Sequence, residues 1–245
     1  MTKLPLHRLL RFHWVESDIT KSPRFIELGL WPMLSSLRNV ESVTLEFSTD
    51  GCVRQLRPEL PALIYPQLQS LELSSHRICL IGLDRFIERV TAPKLTHLFL
   101  RISLSEECSN IIEFIRRSSC GLSSLVIHSA MPVSTAGLSG LLALVPELTY
   151  LELRFACITD EDLLIFSAMP SLVPRLETLS IFAYPGHTDL YSDTVLLDIL
   201  KYRCTNEQLI SRLRLVQVDR LITEDVRVNA LRSNGLVVVK KDSDR

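Results

Sequence analysis

One pattern recurs through most of this 245-residue chain: an apolar residue, two of any kind, an apolar residue, one of any kind, an apolar residue. It stands at Val40-Val43-Leu45, Leu68-Leu71-Leu73, Leu95-Leu98-Leu100, Leu122-Leu125-Ile127, Leu148-Leu151-Leu153 and Leu176-Leu179-Ile181. Successive copies start 28, 27, 27, 26 and 28 residues apart. A weaker copy, Leu213-Val216-Val218, follows 37 residues later, and a last apolar run, Leu236 to Val239, comes 23 residues after that. Leu6 to Phe12 reads as a degenerate first copy. Pro66, Pro93, Pro146 and Pro174 each precede the first apolar position by two residues. Proline lacks an N–H, so it suits the entry to a strand rather than its interior. A unit this short cannot bury an apolar face alone, so the chain must stack its units against one another.

The segments between copies carry the helical period. Leu83, Phe86, Ile87 and Val90 follow i, i+3, i+4, i+7, as do Leu138, Leu141, Leu142 and Val145. Ile111, Phe114 and Ile115 make a shorter stripe, as do Leu196, Ile199 and Leu200. Each set lines one side of a helix. Ser105, Thr159 and Thr223 each stand before acidic residues, which is how a hydroxyl cap and a helix dipole are satisfied. Pro58 and Pro61 predict an irregular segment from Arg54 to Ile64. Strand, turn, helix and return, repeated, predict an α/β leucine-rich-repeat solenoid. It would be a right-handed horseshoe or arc, with a parallel sheet on the concave face and helices on the convex face. Residues 1–36 are expected to form a capping or degenerate-repeat segment, 37–240 about seven to eight units, and 241–245 a charged tail. The 37-residue spacing predicts an insertion near 184–191, around Pro185 and Gly186.

Composition narrows the function. Lys+Arg is 27 and Asp+Glu 28, a net charge of −1, which argues against a nucleic-acid partner because phosphate neutralisation needs a basic surplus. Only 8 glycines are present, and no glycine-rich phosphate motif occurs. The longest apolar stretch, near Leu141 to Pro146, is too short to span a bilayer, so no membrane partner is expected. The N-terminus has no signal-peptide core, and although Lys3, Arg8 and Arg11 are basic, Pro5, Glu16 and Asp18 weigh against a mitochondrial presequence. Cys52, Cys79, Cys108, Cys120, Cys157 and Cys204 include no Cys-x-x-Cys pair, and no N-glycosylation sequon occurs. A reduced compartment, cytoplasmic or nuclear, is the expectation.

The chain offers little catalytic chemistry. Asp160, Glu161 and Asp162 follow Thr159 and read as the first turn of a helix, as Glu106 and Glu107 do after Ser105. His7, His13, His76, His97, His128 and His187 lack metal-ligand spacing, and the cysteines fit small buried hydrophobes. The expectation is a non-enzymatic protein with no catalytic residue, metal or cofactor.

Recognition is better served. Strand alternation sends the non-core positions to the concave surface in three rows. The leading row runs Ser42, Ser70, His97, Ser124, Tyr150, Thr178, Leu215; the middle row Thr44, Glu72, Phe99, Val126, Glu152, Ser180, Gln217; the trailing row Glu46, Ser74, Arg101, His128, Arg154, Phe182, Asp219. Seven strands about 4.8 Å apart give a face roughly 29 Å wide, the width of a peptide or small domain. The candidate protein-binding residues are His97, Phe99, Arg101, Val126, His128, Tyr150, Glu152 and Arg154, an apolar centre with aromatic and arginine edges.

The stretch LTYLELRFACITDEDL, Leu148 to Leu163, resembles the cysteine-containing leucine-rich repeat, the match being carried by Cys157, Ile158, Thr159, Asp160 and Leu163. Cys157 sits one place late in that pattern, and most other copies lack the Cys or Asn after the strand. The cadence over residues 37 to 240 resembles the repeat region of F-box/leucine-rich-repeat proteins, of the divergent kind abundant in fungi. That resemblance implies the substrate-binding part of an SCF-type ubiquitin ligase receptor, with a Skp1-type adaptor as partner of any form that carries an F-box. Residues 1 to 36 do not look like an F-box, since Trp14, Pro23 and Pro32 interrupt a helical continuation. The expectation is therefore the repeat half of a longer protein or a member that lost the box. The alternative is a stand-alone adaptor or inhibitor similar to ribonuclease-inhibitor-like repeats.

Overall fold

A computed structural model describes residues 9–16, 30–47, 61–75, 86–101, 108–130, 133–169, 171–183, 191–206, 209–218, 222 and 225–240. The chain divides into two compact units, Met1–Ser103 with Ser109–Gly121, and Leu104–Cys108 with Leu122–Arg245. Both are α/β, and every strand pairing described within them is parallel.

In the first unit, β1 (Arg11–Glu16) pairs with β2 (Ser42–Phe47). A short β3 (Leu63–Ile64) precedes β4 (Ser70–Ser75), which pairs with β2. A short β5 (Val90–Thr91) pairs with β3, and β6 (His97–Arg101) pairs with β4. Helices Trp31–Ser35 and Ser109–Ser118 belong to this unit. In the second unit, β7 (Ser124–Ser129), β8 (Tyr150–Phe155), β9 (Thr178–Ala183), β10 (Leu215–Val218) and β11 (Val237–Lys240) pair in chain order. A parallel neighbour needs a crossover, and here each crossover carries a helix. The helices are Thr135–Leu142, Asp160–Ala168, Asp193–Thr205 and Asp225–Ser233. Among the described residues, no helix is long and apolar enough to cross a membrane.

Register follows the apolar pattern. In the first unit, Phe12, Val43, Leu71 and Leu98 stand side by side, as do Trp14, Leu45, Leu73 and Leu100. In the second, Leu125, Leu151, Leu179 and Val216 form one row and Ile127, Leu153, Ile181 and Val218 the next. These second-unit rows are at most 1% exposed, and they share the core with Leu138, Leu141, Leu163, Phe166, Leu196 and Leu200. Each such side chain contributes about 1.5–3 kcal/mol by leaving water, and a one-residue slip would turn a whole row outward. The strand entries share a second device. Ser123 O accepts from Thr149 N and Tyr150 N, Thr149 O from Glu177 N and Thr178 N, and Glu177 O from Arg214 N and Leu215 N. The first unit makes the same exchange at Leu10 O, Glu41 O and Gln69 O.

Two arginines near helix C-termini reach back across the preceding segment. In the first unit, the Arg117 guanidinium donates to Ile87 O at 2.6 Å and to Val90 O at 2.7 Å. In the second, Arg203 donates to Leu172 O at 3.3 Å and to Val173 O at 2.7 Å. Arg203 is 1% exposed, and burial pushes its pKa down to about 10. Val173 holds φ 42°, a left-handed conformation that a β-branched residue rarely adopts.

The expectations at Val90 and at the first strand are refined. Val90 opens β5 instead of ending a helix, because its backbone pairs with Leu63. The first strand lies at Arg11–Glu16, later than Leu6 to Phe12, since only that register brings Phe12 beside Val43 and Trp14 beside Leu45. The 37-residue spacing gains length over the one before it at two places. Nine residues separate β9 from the next helix where four follow β8, and that helix has 13 residues against nine for the one before it. Residues 184–190 of the expected insertion lie outside the described residues, whereas Tyr191 is buried. Thr159 caps its helix as the sequence predicts, within a full capping box: its hydroxyl accepts from Asp162 N, and Asp162 accepts from Thr159 N. Cys52, Cys79, Ser105, Glu106, Glu107, Asp219, Thr223, residues 54–60 and the tail 241–245 lie outside the described residues.

Candidate protein-recognition face

The expected face divides between the two units. In the first, β6 carries His97, Phe99 and Arg101 in register with Ser70, Glu72 and Ser74 of β4. His97 and Arg101 are exposed and Phe99 is half-buried. The Arg101 guanidinium lies 5.8 Å from the Phe99 ring centroid, a cation–π contact that stabilises an exposed arginine by about 0.5–1 kcal/mol. The Thr96 hydroxyl lies 2.8 Å from His97 Nδ1 and turns the imidazole. Thr44 Oγ1 donates to Glu72 Oε2 at 3.4 Å. Strand pairing thus places an aromatic ring, an imidazole and a guanidinium beside a carboxylate and small hydroxyls.

In the second unit, Val126 and His128 lie on β7 opposite Glu152 and Arg154 of β8, with Tyr150 at the strand entry. A hydrogen-bonded chain joins His128, Glu152 and Tyr150. His128 Nε2 lies 2.8 Å from Glu152 Oε1, and the Tyr150 hydroxyl donates to Glu152 Oε2 at 2.7 Å. On β9 and β10, Ser180 Oγ donates to Gln217 Oε1 at 3.0 Å. Burial raises the Tyr150 hydroxyl to about 12, and the bond to the Glu152 carboxylate and its charge push the same way. The Arg154 guanidinium sits 5.2 Å from the Phe182 ring centroid.

Alternation predicts that all of these point to open solvent. His128 is instead 6% and Glu152 7% exposed, while Ser180 and Phe182 are fully buried. A carboxylate tolerates such burial when both oxygens accept hydrogen bonds, which Tyr150 and His128 provide here. On this side of the sheet in the second unit, Val126, Tyr150, Arg154, Leu215 and Gln217 are half-buried. Glu152, bonded to His128, holds the Tyr150 hydroxyl among them. Phe182 and Ser180 fall in the outward rows but are not among the candidate residues. The signal that could have found them is the register, which sets Phe182 beside Arg154 and Ser180 beside Gln217.

The acidic cluster has a mechanical task. Asp162 Oδ1 accepts from Thr135 Oγ1 at 2.7 Å, and Asp160 Oδ1 accepts from Ser192 N at 2.6 Å. These bonds tie together the N-termini of three successive helices. The thiols of Cys108, Cys120 and Cys204 are buried and free, and Cys157 is half-buried. Burial raises Cys108 to about 11 and lifts Cys120 and Cys204 as well, which leaves little thiolate for chemistry.

Set against known proteins, the chain matches no protein-family model and no curated protein.

Proposed function

We propose that this chain is a leucine-rich-repeat solenoid that recognises another protein through the sheet face opposite its leucine core. One observation carries the reading. In both units the apolar positions of successive strands stand in register, so the remaining positions form continuous rows of mixed chemistry. The residues assigned to binding are Phe99, Arg101 and His97 in the first unit, and Val126, Tyr150 and Arg154 in the second. Glu152, bonded to His128, holds Tyr150 of the second set. Half-buried aromatic and arginine side chains on a rigid base bind with little loss of side-chain entropy. Within this reading the chain is the substrate-binding part of an SCF-type ubiquitin ligase receptor, an assignment supported by the resemblance of the repeat cadence over residues 37 to 240.

The test compares affinity captures by the wild-type chain and by a variant carrying Phe99→Ala, Arg101→Glu and Arg154→Glu. Circular dichroism verifies that both fold. Binding partners held by the wild type should be lost from the variant and kept by a control, Arg116→Glu, on the exposed side of helix Ser109–Ser118. Partners retained by the triple variant would discard the face. Co-purification of a Skp1-type adaptor with the native-length gene product would support the receptor role. Its absence there would favour the stand-alone adaptor or inhibitor.

A further inference from the structure

We draw no further inference here: the strongest candidate, the apolar outer face of the terminal strand Val237–Lys240, where Val237 is 54% and Val239 39% exposed, is an unpartnered sheet face and nothing in the structure shows what covers it.

Discussion

Replacing Arg203 with methionine probes how the second unit holds the backbone at Leu172 and Val173. The guanidinium donates to both carbonyls, and the side chains around them are 5% and 0% exposed. Hydrogen bonds from a charged donor are worth about 1.5–3 kcal/mol each, so the pair contributes about 3–6 kcal/mol. Dehydrating the guanidinium opposes this. Burial lowers its pKa to about 10, which corresponds to about 3 kcal/mol against the charged form. Methionine fills much of the volume without that penalty but leaves two carbonyls unsatisfied. The difference is about 0–3 kcal/mol, and the cost of about 1 kcal/mol for leaving buried acceptors unsatisfied sets its floor, so the net loss should be about 1–3 kcal/mol. With a urea m-value of about 2 kcal/mol/M, the unfolding midpoint drops by about 0.5–1.5 M. Arg203→Lys keeps the charge but not the two-pronged donor, and should lose a similar amount. The readout is urea unfolding followed by far-UV circular dichroism. A midpoint that stays put or rises in Arg203→Met would mean that dehydration outweighs the bonds, and the clamp would then be no source of stability.

Further outcomes follow from other contacts. Arg117→Met removes donors to Ile87 O and Val90 O and should lower the urea midpoint of the first unit; an unaltered midpoint would leave that arginine without a stabilising role. Thr159→Ala removes a hydroxyl that accepts from Asp162 N and donates to Asp162 Oδ2, costing about 1 kcal/mol, or about 2–4 °C in Tm; calorimetry showing no shift would contradict the cap. The Tyr150 hydroxyl has a folded pKa raised from 10.0 to about 12, so its stabilising contribution is complete below pH 10 and is lost as pH climbs toward 12. Tyr150→Phe should flatten that alkaline decline in stability and remove a late-titrating tyrosine from the 295 nm absorbance; a wild-type titration showing no such late group would refute the buried bond. Labelling with a thiol reagent at neutral pH, read by peptide mass spectrometry, should modify Cys157 well before Cys108, Cys120 and Cys204; uniform rates would count against their burial.

The sequence by itself determined the positions of the six strands that carry the regular pattern, β2, β4, β6, β7, β8 and β9. A period of 26 to 28 residues with a strict apolar spacing leaves one register within each unit, Leu71 beside Leu98 in the first and Leu125 beside Leu151 in the second, and their burial is that register made physical. Local signals also sufficed at Thr159, where cap, acids and apolar stripe lie within one helical turn. Other features were settled only by tertiary structure. Val90 has a helical neighbourhood in sequence, yet its partner Leu63 is 27 residues away, and pairing outweighs a weak local preference. Arg203 reads as an ordinary basic residue at a helix end until carbonyls 30 and 31 residues earlier come within reach. The same holds for the candidate face. Alternation tells which side of the sheet a residue takes, and it placed Tyr150, Glu152 and Arg154 correctly on one strand. It cannot tell how deeply that side is covered, because burial depends on what neighbouring strands and turns bring over it. Whether Glu152 and His128 would meet a partner or each other was therefore decided by a 2.8 Å hydrogen bond between side chains 24 residues apart.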